Sequence, residues 1–344
     1  MKLNVLFNKI AWFGKYSGYE CIVHYLPECK ISYFNASDSS LIKKIKGKYY
    51  QHAKNIHDQS TYGLATGMSF LNAASRADAS HILYLETHIH LLKVAGERQL
   101  SSLAGTIHLP FSQWKQEQLD MLVNLKHPLI LYESEMEKFQ AYLPKGQLKF
   151  IRHGVDNDFF RPGDKPRNKK RILCVGHYLR NFDMLQRVVA ILSGEDKALE
   201  FHLVIPGIHR NLPALNTLAA NPNVYFHEKL TDEQLLHLYQ ECAVLLMPMT
   251  DSGANTAIVQ GIACGIPVVT TNMGGITSYG GNDVFPLIEN NDDKAMADLV
   301  LRYLSEEAYM QSISSATRAF SEAKLDWKLT AAEHYAFYRS LAKK

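Results

Sequence analysis

The chain has 344 residues, about two ordinary domains, and its 47% hydrophobic and 21% charged content is globular, which excludes a mostly disordered protein. A net charge of +3 is too small for a general nucleic-acid binder, and the longest apolar runs, 243–249 and 262–269, fall far short of the ~20 residues of a membrane span. The charge is uneven. Residues 1–162 hold 19 basic against 14 acidic side chains and residues 163–344 hold 18 against 20, so the first half is the one suited to meet anions.

The first residues, 1–13, alternate like a strand and have no long apolar core or small-residue cleavage site, so no secretory leader is expected. Short apolar runs then alternate with amphipathic stretches, the pattern of an α/β protein on parallel sheets. Strands are expected at 3–7, 31–34, 81–85, 105–108, 128–132 and 148–152, with helices at 113–125 and 134–143 among them. Residues 157–170 (NDFFRPGDKPRNKK) are polar, contain two prolines and a glycine, and read as a linker. A second series follows, with strands at 171–175, 200–205, 223–226, 243–247 and 267–271 and helices at 183–192, 232–241, 254–264 and 292–304. The expectation is two doubly wound, Rossmann-like parallel-sheet domains facing a central cleft. The first spans 1–160, joined by a C-terminal helix over 326–344, and the second spans 161–325. A ligand would then sit at the carboxyl ends of the strands.

Three turns in the second half are candidates for chemistry, against the alternative that each is a loop serving only the fold. Gly176 follows a strand and precedes a helix, allowing a ligand close to the backbone, and Arg180 beyond it has the fork that grips a diphosphate. The loop holding Asp251, Ser252, Gly253, Asn255, Thr256 and Ala257 ends a buried strand and starts a helix, whose unpaired amides attract phosphate or sugar oxygens. A third small-residue loop, 271–275, ends the next strand.

These pieces resemble the GT-B nucleotide-sugar glycosyltransferases, specifically their retaining family-4 group. Ile151-Arg152-His153-Gly154-Val155-Asp156 through Phe160-Arg161-Pro162 is similar to the interdomain signature of that family. Asn223–Phe226 with Leu235–Tyr239, and Gln260–Gly265 with Pro267-Val268-Val269 and Gly274-Gly275, are similar to its later blocks. The resemblance covers nearly the whole chain. It implies a nucleoside diphosphate sugar, UDP- or GDP-linked, held by the second domain, and a saccharide, lipid-linked or other envelope acceptor over the first. It also implies transfer with retention and neither a tightly bound cofactor nor a metal. Arg180 and the Asn255–Thr256 turn are offered for the leaving diphosphate. Ser17 and Gly18 fall where the family has a glycine-rich donor-facing turn, and His108, at a strand end, falls where it has a histidine near the transferred sugar. The sequence departs from the family at two slots usually held by glutamate, which here are Ser252 and Gln260; Asp251 lies one residue before the first. Gln260 is expected against the ribose, as a neutral donor and acceptor. The departures keep two alternatives open: a catalytically silent GT-B protein that binds a sugar nucleotide or partner, and a GT-B epimerase or phosphorylase.

Elsewhere, five cysteines without a CxxC pair read as reduced thiols of a cytoplasmic protein. His88 and His90 beside Glu86 lack a spaced third metal ligand. Lys43, Lys44, Lys46 and Lys48 are interleaved with Leu41, Ile42, Ile45, Tyr49 and Tyr50. That pattern suits a solvated helix or loop, or an acceptor-side patch that brings the protein to the inner face of a membrane.

Overall fold

The computed structural model describes residues 1–10, 14–27, 29–35, 39–56 and 59–342. By contacts the chain divides into two units, one drawn from residues 1–13, 18–152 and 328–344, the other from 14–17 and 153–327.

The first unit is built on six parallel strands: β1 (Leu3–Lys9), β2 (Cys29–Asn35), β3 (Ala79–Ile82), β4 (Leu103–Ile107), β5 (His127–Ile130) and β6 (Lys149–Phe150). Their spatial order is β2-β1-β3-β4-β5-β6. The second unit repeats the plan with β7 (Asn168–Val175), β8 (Glu200–Val204), β9 (Val224–His227), β10 (Cys242–Met247), β11 (Val268–Thr271) and β12 (Leu287–Ile288). Their order is β12-β11-β10-β7-β8-β9, again all parallel. Every residue of β10 is buried, as expected for a central parallel strand covered on both faces. In each sheet the order reverses once, between β1 and β3 and between β7 and β10, and ligands of such sheets bind outside the carboxyl ends at that reversal.

Several helix starts follow from local capping. Asn181 accepts from the Met184 amide, Asn255 from Ile258, and Thr231 with Gln234 forms a reciprocal capping box. The capping box opens a helix over Asp232–Glu241, the span expected from sequence.

Three expectations are corrected. The strand expected to reach Leu85 stops at Ile82, because Leu85 opens a short helix, Leu85–His88. The helix expected over 113–125 is broken into a 3-10 turn (Phe111–Gln113), a helix (Gln116–Met121) and a second 3-10 turn (Leu122–Asn124). The expected linker ends early, since β7 begins at Asn168. Arg167, just before it, is an anchor. Its guanidinium donates to the carbonyls of Tyr239, Gln240 (3.2 Å), Cys242 (2.9 Å) and Cys264 (2.5 Å). These oxygens lie at the ends of the Asp232–Glu241 and Thr256–Ala263 helices, where carbonyls have no partner within the helix and a cation is favourable. Arg167→Ala is expected to destabilise the second unit by about 3 kcal/mol, since hydrogen bonds to a charged group are worth ~1.5–3 kcal/mol each and stranded carbonyls add to the loss. A lower urea midpoint at unchanged slope checks it; an unchanged midpoint counts against the anchor.

Candidate functional site

In the second unit, the loops after β7 and β10 flank the reversal of strand order. Gly176 sits at φ +84°, in the left-handed region, and a Cβ there would come within 2.9 Å of Arg180 Nη2. Arg180 folds back along this turn. Its Nε and Nη2 donate to the Val175 carbonyl (3.0 and 2.7 Å), Nη1 donates to the Tyr178 carbonyl (2.9 Å), and Nη2 reaches Asn255 Oδ1 at 3.4 Å. Nη1 also meets the soft sulfur of Met249 at 3.2 Å. Desolvation lowers the Arg180 pKa to about 10, which leaves it cationic at neutral pH. The structure thus brings together Gly176, Arg180 and Asn255, the residue that caps the Thr256–Ala263 helix.

Beside them, Asp251 Oδ1 accepts from the Ser252 amide (2.8 Å), and the buried Ser252 hydroxyl donates to the Gly253 carbonyl (2.9 Å). The Gly275 amide donates to the Ser252 carbonyl at 2.6 Å, so the loop after β11 lies directly on the loop after β10. His153 adds a contact that sequence reasoning treated only as part of a signature. Its Nδ1 lies 2.6 Å from the Gly154 carbonyl, which can only accept, so Nδ1 carries the proton and Nε2 faces the Thr256 hydroxyl at 3.5 Å. Burial drives its pKa down to about 4, so the ring is neutral. Another unforeseen feature is a flat stack of His177 on His209, ring centroids 3.5 Å apart, between the loops after β7 and β8. Burial, His209 and Arg180 lower the His177 pKa to about 4.

Ser17 and Gln260 meet within the second unit. Gln260 is only 3% exposed; its Nε2 donates to Ser17 Oγ (2.9 Å) and its Oε1 accepts from Tyr239 (3.3 Å), whose hydroxyl also bonds the Ala257 carbonyl. The Gln260 amide is therefore satisfied by protein groups. The same strap, residues 14–17, is held by Asp232, which accepts from the Lys15 and Tyr16 amides (2.6 and 3.3 Å), and by Tyr16 lying flat on Phe159, centroids 3.9 Å apart.

In the first unit, Gly18 stands at φ +95° before the 3-10 turn Tyr19–His24. His108 immediately follows β4. Its Nε2 donates to the Leu83 carbonyl (2.5 Å), its ring stacks on Tyr84 (centroids 4.6 Å), and it meets the edge of Tyr19 (4.7 Å). Glu86 accepts from the main-chain amides of His108 and Leu109, the latter at 2.7 Å. Glu86 thus holds the His108 turn, a role the sequence did not suggest. Arg180 and His108, the two residues expected to be catalytic, belong to different units.

Burial raises the Glu86 carboxyl to about 7 from its ordinary 4.5, outweighing the amides that lower it. Between those values the folded state keeps a proton that the unfolded state has released. The stability Glu86 contributes is therefore full below about 4.5 and lost as pH rises through about 7. His88, His153, His177 and His334, with pKa values lowered by burial, act oppositely: their contribution is full above the ordinary 6.5 and lost as pH falls through 3 to 4. The difference between wild type and Glu86→Gln isolates the carboxyl. Urea unfolding from pH 4.5 to 7.5 is expected to show the mutant gaining on wild type as pH rises, and parallel curves would remove this assignment.

The four lysines lie on a helix, Leu41–Lys54, capped by Ser40. The helix buries Gly47, where a Cβ would collide with the Thr61 carbonyl. The opposite face carries Leu41, Ile42, Ile45 and Tyr49, 61–69% exposed, flanked by exposed Lys44 and Lys48 on one side and Lys46 on the other, while Lys43 is half-buried. Among the described residues, no helix is long and apolar enough to cross a membrane, and no three His, Cys, Asp or Glu side chains group as a metal site.

Two six-stranded parallel α/β units, each with a single reversal of strand order, define the GT-B class of fold. Residues 169–306, within the second unit, match the family described as Glycosyl transferases group 1. The chain is 27% identical to the D-inositol 3-phosphate glycosyltransferase of Nocardiopsis dassonvillei over 57% of its own length and 51% of the relative's. It spans about half the length of such curated relatives. Among solved structures it is similar to Anabaena HepE in complex with UDP and glucose (TM-score 0.75, 14% identity, 99% of this chain and 100% of that one). It is also similar to sucrose-phosphate synthase from Thermosynechococcus elongatus (TM-score 0.73, 16% identity, 99% and 98%).

Proposed function

We propose that this protein is a retaining glycosyltransferase that takes a sugar from a nucleoside diphosphate, UDP or GDP, and passes it to a saccharide or lipid-linked acceptor. The observation that carries the reading is the convergence of Gly176, Arg180 and the Asn255-capped helix start at the strand reversal of the second unit. Charge develops on the leaving diphosphate during transfer, and a fixed cation with the positive end of a helix favours that charge without a metal ion. Asp251, Ser252, Gly253, Thr256 and Ala257 border the same loop and are assigned to the donor, with His108 assigned to the transferred sugar. The HepE structures with UDP and UDP-glucose support a nucleotide sugar as substrate. The exposed apolar and basic face of the Leu41–Lys54 helix supports a cytoplasmic protein that works at an anionic membrane surface.

Calorimetry of the full chain with UDP, GDP and their hexose conjugates tests the donor. Binding of at least one is expected, followed by nucleotide release when acceptor is present; folded protein that binds none would end the reading. A second reading, a silent sugar-nucleotide-binding protein, is favoured by one observation: Gln260 stands in a glutamate slot and its amide is already engaged by Ser17 and Tyr239. Donor hydrolysis or transfer, seen as nucleotide release at catalytic protein concentrations, excludes it.

A further inference from the structure

Behind His108 lies a chain of buried polar groups that starts at Tyr19, one of its ring neighbours. His334 and Tyr338 stand four residues apart on the last helix, Trp327–Ala342, and so share one of its faces. His334 Nδ1 lies 2.6 Å from the Thr330 carbonyl and its Nε2 lies 2.6 Å from the Tyr19 hydroxyl. Tyr19 in turn approaches Thr106 Oγ1 on β4 (3.5 Å), Thr106 bonds His81 Nε2 on β3 (2.7 Å), and His81 Nδ1 meets the Tyr338 hydroxyl (2.6 Å). All five side chains are buried.

The chemistry fixes the direction of the first two bonds. A carbonyl only accepts, so His334 Nδ1 carries the proton, Nε2 is bare, and the Tyr19 hydroxyl must donate to it. Burial lowers both histidine pKa values and raises that of Tyr19, so the chain is neutral throughout the working range of pH. Tyr19 has few ways to turn without stranding a buried lone pair, which is expensive. Its ring is one of the two against the His108 imidazole. The other, Tyr84, is oriented by donating to Glu20 and accepting from the Tyr19 amide (3.2 Å).

We propose that His334 is a positioning residue: from the last helix it fixes Tyr19 and thereby the ring of His108. The proposal rests on the assignment of His108 to the transferred sugar and extends that site to a helix remote in sequence. A satisfied core histidine with no such role would affect stability alone.

Two substitutions of His334 separate these cases. His334→Gln places an acceptor near the position of Nε2 and keeps the Tyr19 bond, whereas His334→Asn can bond the Thr330 carbonyl but falls short of Tyr19. The first readout needs no substrate: imidazole resonances of His108 in the full chain, labelled at histidine and assigned with His108→Gln. They are expected to shift in His334→Asn and to stay in place in His334→Gln. The second readout is donor turnover per folded molecule. Displacing a reacting group by a fraction of an ångström is expected to lower kcat about tenfold in His334→Asn, with donor KM and UDP affinity unchanged and near wild-type turnover in His334→Gln. Tyr19→Phe, which removes a single oxygen, serves if His334→Asn does not fold and is expected to reproduce both effects. Unmoved His108 resonances and unchanged kcat in folded His334→Asn, or in Tyr19→Phe, would overturn the proposal. If instead His108→Ala retains full turnover, it is the underlying assignment of His108 that fails.

Discussion

Replacing Arg180 with alanine is expected to weaken nucleoside diphosphate binding by about 1.5–3 kcal/mol, the range for a hydrogen bond to a charged group, which is roughly tenfold to a hundredfold in Kd. The structure adds a second loss. Arg180 is the donor that holds the Val175 and Tyr178 carbonyls and reaches the cap of the Thr256–Ala263 helix, so its removal loosens the loop that presents the helix start. Arg180→Lys is expected to recover little, because one ammonium cannot reproduce a planar fork that reaches three oxygens and a sulfur. Calorimetry with UDP or GDP, alongside a melting curve to establish folding, checks both variants. Wild-type affinity in folded Arg180→Ala would remove the arginine from the diphosphate site and leave it as a loop anchor like Arg167.

An effect of similar or greater size is expected at the Leu41–Lys54 helix. Each basic residue near an anionic bilayer contributes about 1 kcal/mol, so changing Lys43, Lys44, Lys46 and Lys48 to glutamine should reduce partition onto such vesicles by up to about a thousandfold. Lys43, being half-buried, should contribute least. The exposed Leu41, Ile42, Ile45 and Tyr49 supply an apolar component that salt does not screen, whereas the lysine component is screened within ~8 Å at physiological ionic strength. Sedimentation with phosphatidylglycerol vesicles over a salt series is expected to show salt-sensitive binding by wild type, lost in the quadruple variant, with nucleotide affinity intact. Equal sedimentation of the two proteins would return the helix to a solvated face and favour a soluble acceptor.

The order of strands and helices was legible because each βα step has its own local signals. β10 reads as a strand from a continuous apolar run, and the Asp232–Glu241 helix reads from its capping box and apolar spacing. Local reading failed where a distant partner decides. Leu85 looks like the end of a strand, but it opens the turn whose Glu86 serves amides 22 and 23 residues further on. Arg167 looks like one charge in a basic linker, yet its partners lie more than 70 residues away. The loops around Gly176 and Asn255 were recognisable from glycine, small polar residues and position after a strand. The engagement of Gln260 with Ser17, 243 residues apart, and the stacking of His177 on His209 leave no periodic trace in the sequence.

The division of the chain also sets an order of assembly. Residues 153–327 are one uninterrupted stretch that contains every strand of the second sheet, whereas the first unit, although begun earlier, also draws on residues 328–344, which are made after it. Synthesis usually favours the N-terminal domain, whereas the first unit here has all of its segments only after the second has been made. Until the last helix arrives, Tyr19 awaits a partner 315 residues downstream and His81 one 257 residues downstream. Closing so long a loop adds little entropy cost beyond that of a shorter one, but it imposes a wait.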